Sequence, residues 1–203
     1  MDGDTERDME DERQVELSSI SAIFPEIILD AQDPFSASID LPVTPSTPLP
    51  VVFPEFSDGT LVANESRDES QPRLETHLLS HLPSLHLKIT LPKGYPASEP
   101  PIFRLSTTPQ WVPDAVFDRL SSDGRRLWEE FGHDQIVFSY IDHLQQAAEN
   151  TFGVLGEKET LEVSQDLKIS ILDFNIQAKR AAFEKETFDC GVCLGESGRM
   201  PGI

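Results

Sequence analysis

Cysteine is nearly absent from this sequence, because the 203 residues contain two, at positions 190 and 193. Two cysteines near one end exclude a disulfide framework. No cysteine precedes Cys190, so the long N-terminal part lacks a thiolate, the side chain best suited to nucleophilic group transfer near neutral pH. We therefore expect no thiol-based catalysis in residues 1–189.

Positive charge is also scarce, since 16 basic residues face 36 acidic ones and the net charge is −20. Nucleic-acid binding needs a basic face, and the pairs Arg125-Arg126 and Lys179-Arg180 indicate only solvated helix surface. No apolar run approaches the roughly 18 residues of a membrane helix, and the acidic N-terminus is not a signal peptide. We expect no nucleic-acid or membrane partner, and a cytoplasmic or nuclear location.

The first third of the chain alternates between structured and polar stretches. Residues 1–9 lack apolar periodicity and indicate a disordered acidic leader. From about residue 10, Leu17, Ile20 and Phe24 follow helical spacing, and Pro25 ends the run. Short strands are predicted over 35–41 and 49–53, and the acidic stretch 54–75 is predicted to be a loop insertion.

Residues 76–105 have strand character and contain a cluster of prolines. The segment THLLSHLPSLHLKITLP predicts two strands interrupted at Pro83, and the second alternates apolar and polar residues as a half-buried antiparallel strand does. Four prolines follow within the segment PKGYPASEPP, and a further short strand is predicted over 102–105. The prolines therefore occupy a corner between two strands.

The remainder is predicted to be helical. One helix has Pro113 in its first turn and a possible break at Gly124, and the next is capped by Asp134. A polar linker over 153–168 precedes a last helix over 167–189. The order of helix, antiparallel strands and helices predicts an α+β fold.

The proline corner is expected to be stiff. Pro96, Pro100 and Pro101 each fix φ near −65° and remove an amide donor that would need a partner. Residues before proline are held extended, so the chain loses little further entropy when it turns back as the next strand. Tyr95 is expected to pack on the core and donate its hydroxyl to a backbone carbonyl. We interpret the corner as a brace, with direct contact to a partner as the alternative.

The corner resembles the YPxxxPP signature of the RWD domain, through Tyr95, Pro96, Pro100 and Pro101. The first helix LSSISAIFPE, Trp111 and the helix IVFSYIDHLQQAAENTF are similar to that family too, and the resemblance covers residues 10–152. It implies a ubiquitin-conjugating-enzyme-like sandwich in which a four-stranded antiparallel sheet packs against helices. It also implies a protein-binding module without the catalytic cysteine.

A second resemblance begins at Ile171. The stretch ILDFNIQAKRAAFEKETFDCGVCL is similar to the helix that enters the first RING of RING-between-RING ubiquitin ligases, of the androgen-receptor-associated, translation-termination-inhibitor type. It implies that Cys190 and Cys193 are the opening pair of a zinc site, whereas a lone CxxC is otherwise equally compatible with two free thiols or a redox pair. No Cys or His follows Cys193, so residues 190–203 supply half of the ligands, and we expect no firmly held zinc. Val192 and Leu194 correspond to latent contacts with a conjugating enzyme.

Taken together, the two resemblances imply a recruitment module of such a ligase, inactive as a transferase in the residues present here. They imply protein partners, among them the ribosome-associated general-control coactivator, and a ubiquitin-conjugating enzyme for the complete ligase. Two alternatives remain: a freestanding RWD adaptor with an incidental CxxC, and a divergent conjugating enzyme that uses a residue other than cysteine. His77 and His81 have the spacing of helical metal ligands, but their strand-like surroundings indicate ordinary histidines.

Overall fold

The fold of the chain is described from a computed structural model, which covers residues 11–54, 75–154 and 160–188. The helices are α1 (Glu12–Ile23), α2 (Asp114–Glu130), α3 (Val137–Glu149) and α4 (Lys168–Phe188). The strands are β1 (Ile28–Leu29), β2 (Ser36–Val43), β3 (Leu49–Val52), β4 (Thr76–Leu79), β5 (Leu82–Thr90), β6 (Ile102–Thr107) and β7 (Leu161–Glu162). The predicted acidic leader, most of the predicted insertion and residues 189–203 lie outside the described residues.

The central layer is a four-stranded antiparallel sheet in the order β1-β2-β5-β6. The alternation predicted for β5 is confirmed, because Leu85, Leu87 and Ile89 are buried while the intervening side chains are not. Helices α2 and α3 pack on the buried face, and α1 contacts α3. The predicted α+β class with a four-stranded antiparallel sheet is therefore confirmed.

The described residues also form a second, three-stranded sheet, and the sequence did not indicate that two of the predicted strands belong to a separate sheet. Its order is β4-β3-β7, with β3 and β4 antiparallel and β3 and β7 parallel. Strand β7 lies inside the stretch predicted to be a linker, where Leu161 and Val163 are buried and the Val163 amide donates to the Val52 carbonyl at 3.0 Å. Two buried residues in a polar stretch are too short a pattern to predict a strand.

The prediction that Pro83 interrupts two strands was wrong in detail. Proline 83 lies inside β5, and the break falls at Ser80 and His81. The pairing of β2 with β5 shifts register between Leu41 and Val43, so Pro42 and Pro83 lie beside one irregularity in the ladder. A bulge suits proline because the missing amide proton has no ladder bond to make there.

The predicted helix break at Gly124 and the predicted Asp134 cap were also wrong. Helix α2 is continuous through Gly124. Helix α3 begins at Val137 without a side-chain cap from its own segment, and the Asp134 carboxylate instead accepts from the Gln135 amide at 2.7 Å. The donors at the start of α3 are satisfied by residues that are distant in sequence.

Candidate functional site

The proline corner is attached to the start of α3 by a buried tyrosine and a buried glutamate. Tyr95 donates its hydroxyl to Glu16 Oε1 at 3.1 Å and accepts the Ile136 amide at 2.8 Å. Glu16 Oε1 also accepts the Val137 amide at 2.8 Å. The Tyr95 hydroxyl thus donates to a carboxylate of α1, where a backbone carbonyl was expected. The corner, α1 and α3 share one polar cluster.

Burial sets the electrostatics of this cluster. Desolvation raises the pKa of the Glu16 carboxyl above its ordinary value, although the bonds from Val137 and Tyr95 oppose the shift. Desolvation, with the nearby Glu16 charge, also raises the pKa of the Tyr95 phenol. Glu16 is only 5% exposed, so a substrate cannot reach the carboxylate without opening the fold. The cluster has the chemistry of a brace and not that of a general acid or base.

One buried tryptophan bonds to the corner and a second bonds to the start of β5. Trp128 of α2 donates its indole N–H to the Pro96 carbonyl at 2.8 Å, and its ring stacks on His133 at a centroid distance of 4.0 Å. Trp111 donates its indole N–H to the Pro83 carbonyl at 3.1 Å. Both tryptophans are buried. Among the predicted motif residues, Tyr95, Pro96, Pro101 and Trp111 are buried and Pro100 is half-buried.

The histidines are separate from one another in the fold. His77 belongs to β4 and packs edge-on against Phe53, while His81 lies in the break between β4 and β5. Within residues 11–54, 75–154 and 160–188, no group of three or more His, Cys, Asp or Glu side chains could hold a metal ion. Cys190, Val192, Cys193 and Leu194 lie outside this part of the chain, so the zinc site and the latent contacts stay predictions.

Two open clefts mark the surface of the described residues. One of about 380 Å³ lies between the polar face of the four-stranded sheet and α4, and its lining is Asp40, Pro83, Ser84, His86, Ser106, Thr108 and Phe174. A second of about 310 Å³ lies on α1 and is lined by Gln14, Val15, Ser18 and Ser19. Both were missed by sequence reasoning, because the first combines distant segments and the second is lined by small polar residues without a recognisable motif.

Helix α4 is joined to the domain by its first half. Ile171 is fully buried, and the buried Asn175 accepts the amides of Ser80 and His81 at 3.1 Å each through Oδ1. One side chain thus satisfies both donors of the break between β4 and β5. The helix predicted to precede a RING is an integral part of the fold at this end.

Replacing Asn175 with alanine is expected to lower the free energy of unfolding by about 2 kcal/mol, because two buried amides lose their acceptor. Amide hydrogen exchange in the first half of α4 should accelerate more than exchange in β5. The matched control is Asp173→Ala, two residues away and exposed, which should change stability by less than about 0.5 kcal/mol. Equal protection of α4 in both variants would show that Asn175 does not hold the helix.

In the part of the chain that the structure describes, no helix is long and apolar enough to cross a membrane.

The architecture defines the class of domain. A helix, an antiparallel sheet and further helices, with a braced proline corner between two strands, have the shape of a ubiquitin-conjugating-enzyme-like domain. The model of the RWD domain family matches residues 11–148. The chain belongs to the RWD domain family.

The match to one curated relative extends beyond this domain, and a second relative matches a shorter part of the chain. The chain is 30% identical over 181 residues to the E3 ubiquitin-protein ligase itt1 of Schizosaccharomyces pombe, covering 89% of this chain and 38% of that protein. It is 24% identical over 156 residues to the E3 ubiquitin-protein ligase RNF14 of Danio rerio, covering 59% of this chain and 34% of that protein. The chain thus spans just over a third of the length of these relatives. No solved structure is significantly similar to it.

Proposed function

We propose that this chain is the protein-binding module of a RING-between-RING E3 ubiquitin ligase, and that it recruits partners for ubiquitin transfer. One observation carries the proposal: the similarity to the ligase itt1 spans 181 residues and therefore continues past the RWD match into the region of β7 and α4. That region is packed onto the domain through Ile171 and Asn175. The ligase itt1 is thus similar to the domain together with the beginning of the segment that leads to Cys190.

In this proposal, the attachment of the start of α4 to the domain determines where a bound partner lies relative to the helix. Because α4 is bound to the domain near Ser80, a partner held by the domain keeps a defined position relative to the start of the helix. In the complete ligase, Cys190 and Cys193 would provide two thiolates of the first zinc site. Val192 and Leu194 would then lie beside those ligands, in reach of a conjugating enzyme. The proposed setting is cytoplasmic or nuclear.

The ribosome-associated general-control coactivator is the partner that the family resemblance implies, and it would connect the ligase to translation. The test is isothermal titration of this chain with the purified coactivator. Saturable binding by the whole chain, retained after both cysteines are replaced by serine, supports a recruiting module. Binding that disappears with the cysteines would place the contact outside the RWD domain and contradict the proposal.

The same proposal predicts that residues 11–148 carry no ubiquitin thioester. Incubation of the chain with activating enzyme, ATP and ubiquitin should give no ubiquitin adduct in this range, neither one cleaved by a reducing agent nor an oxyester cleaved by mild alkali, because these residues lack a thiolate and a hydroxyl is a poor nucleophile near neutral pH. Non-reducing gels and peptide mapping provide the measurement, and an authentic conjugating enzyme provides the positive control. A mapped adduct within residues 11–148 would instead identify a divergent conjugating enzyme.

A further inference from the structure

We propose that the surface formed by α1, β1 and α3 binds a basic amphipathic helix of a partner protein. We call this surface the α1–β1–α3 face, and its apolar centre consists of Ile23, Phe24, Leu29 and Phe138. The inference rests on the proposed function only in treating the chain as a binding module. It goes further by naming the surface and the chemistry of the segment that the surface accepts.

The apolar centre is exposed to a degree that is unusual for large side chains grouped together. The exposed fractions are 54% for Ile23, 48% for Leu29 and 48% for Phe138. Leu29 lies on this side of the sheet because it pairs with the buried Ala37. Phe24 joins α1 to α3, because its ring centroid lies 6.1 Å from that of Phe138. The Ile27 amide donates to the Phe24 carbonyl at 3.0 Å, and this tight turn brings β1 directly after α1. Contiguous exposed apolar area of this kind is typical of an interaction site.

Charge favours a cationic partner. Within the described residues no lysine or arginine occurs between Arg13 and Lys88, and α3 contains none. Arg13 is already paired with Asp11 at 2.6 Å. Exposed acids flank the apolar centre, since Glu26 follows Phe24 by two residues and Asp142 lies one helical turn after Phe138. Lysine or arginine on the partner would find complementary charge on this face and no competing cation.

The opposite face of the sheet has the reverse character. Lys88 of β5 pairs directly with Arg104 of β6 across the ladder, and their side chains point away from the buried face. A basic helix would be repelled there by two neighbouring positive charges. Because the charges differ between the two faces, we expect a basic helix to bind the α1–β1–α3 face and not any part of the acidic surface.

The outward side of α1 favours a helix as the bound segment. Val15, Ser18 and Ser19 are exposed and, with Gln14, line the cleft of about 310 Å³, and Ala22 is exposed one turn further along the helix. Side chains at the contact set the distance between packed helices, so the two serines and Ala22 allow a partner helix to approach α1 closely. Its apolar side would cover Ile23 and Phe138, and its basic side would meet Glu26 and Asp142.

The test uses the whole chain and a synthetic amphipathic peptide of leucine and lysine, about 18 residues or five helical turns long. A twin peptide carries glutamate at every lysine position. The leucine–lysine peptide should bind at least about tenfold more tightly, equivalent to 1.4 kcal/mol, and become helical on binding. Amide resonances of residues 15–29 and 137–142 should shift most in nuclear magnetic resonance spectra.

Matched variants separate the apolar and charge contributions. The double variant Ile23→Ser, Phe138→Ser should weaken binding at least about tenfold, while Leu78→Ser, Ile102→Ser, also at exposed apolar positions, should not. Glu26→Lys, Asp142→Lys should weaken binding more than Asp118→Lys, Asp173→Lys, which changes the net charge equally at exposed positions on α2 and α4.

Equal weakening by both lysine pairs would reduce the binding to general attraction and overturn the inference. Shifts centred on Lys88 and Arg104, or equal affinity for the two peptides, would overturn it as well. The proposed function is judged separately, by titration of the coactivator. If the coactivator binds this chain and its Ile23→Ser, Phe138→Ser variant equally, the proposed function is retained and the α1–β1–α3 face is not the binding site.

Discussion

Replacing Glu16 with alanine is expected to lower the free energy of unfolding by about 3 kcal/mol. The substitution removes the acceptor of the Val137 amide and of the Tyr95 hydroxyl, which are both buried. An unsatisfied buried donor costs about 1–3 kcal/mol, and loss of a helix cap costs about 1 kcal/mol. The gain from removing a buried charge offsets part of this loss, since Glu16 Oε2 is buried without a partner among the described residues.

The pH dependence of stability tests the role of Glu16 more directly than the size of the decrease in unfolding free energy does. The pKa of Glu16 is raised by burial above its ordinary value of 4.5. Stabilisation by the protonated carboxyl is therefore complete below the unfolded-state pKa, and it is lost as the pH rises through the raised folded-state pKa. Glu16→Gln mimics the neutral form, so its stability relative to the natural chain should increase as the pH rises through that range.

Denaturant unfolding at a series of pH values measures both effects. The difference between the glutamine variant and the natural chain isolates Glu16 from the titration of the other acids. Glu12→Ala, on the exposed side of the same helix, is the control and should cost no more than about 0.5 kcal/mol. A pH-independent difference for Glu16→Gln would mean that the carboxylate is not desolvated in the folded state.

Gly124→Ala is expected to destabilise the domain by about 2 kcal/mol, although alanine is the better helix former. Intrinsic propensity alone would give a gain of about 1 kcal/mol. A Cβ atom at position 124, however, would lie 2.5 Å from Phe103 Cδ2 and 2.8 Å from Cε2. The Phe103 ring cannot move freely, because it stacks on Tyr140 at 3.8 Å and Tyr140 donates its hydroxyl to the Leu120 carbonyl at 2.9 Å. Overpacking of this kind costs about 1–3 kcal/mol.

For Gly124→Ala, the decisive result is whether the free energy of unfolding decreases or increases. Ser122→Ala, on the exposed side of α2, is the control and should be neutral or slightly stabilising, because it changes propensity without steric overlap. Thermal and denaturant unfolding of the two variants should move in opposite directions. A stabilised Gly124→Ala variant would show that α2 does not approach the sheet as closely as the ring contact requires.

The proline corner illustrates what local sequence can predict. Alternation in residues 85–91 is a property of neighbouring residues, so it predicted β5 and its buried side correctly. The prolines restrict the backbone wherever they occur, so a stiff bend was predictable as well. The hydroxyl partner of Tyr95 was not, because Glu16 is 79 residues away in the sequence. Nothing in the local pattern of α1 distinguishes Glu16 from its exposed acidic neighbours.

Gly124 and Pro83 are positions at which the local sequence predicted the wrong structure. Glycine in a helix and proline in a strand are unfavourable by local rules, and both were therefore interpreted as breaks. The fold accepts Gly124 because Phe103 occupies the space of a side chain, and it accepts Pro83 beside an irregularity in the ladder. In both cases packing between distant segments outweighs the local preference.

The sequence alone determined the α+β class, the alternation of β5, the stiff corner and the lack of a thiol before Cys190, because each depends on residue type or on short-range periodicity. Only the tertiary structure decided how α3 is capped, where β7 and α4 attach, and that Phe24 and Phe138 meet on a surface whose described residues include no lysine and only the paired Arg13. Those features arise from contacts between segments far apart in the chain, and their energies depend on burial that no local pattern records.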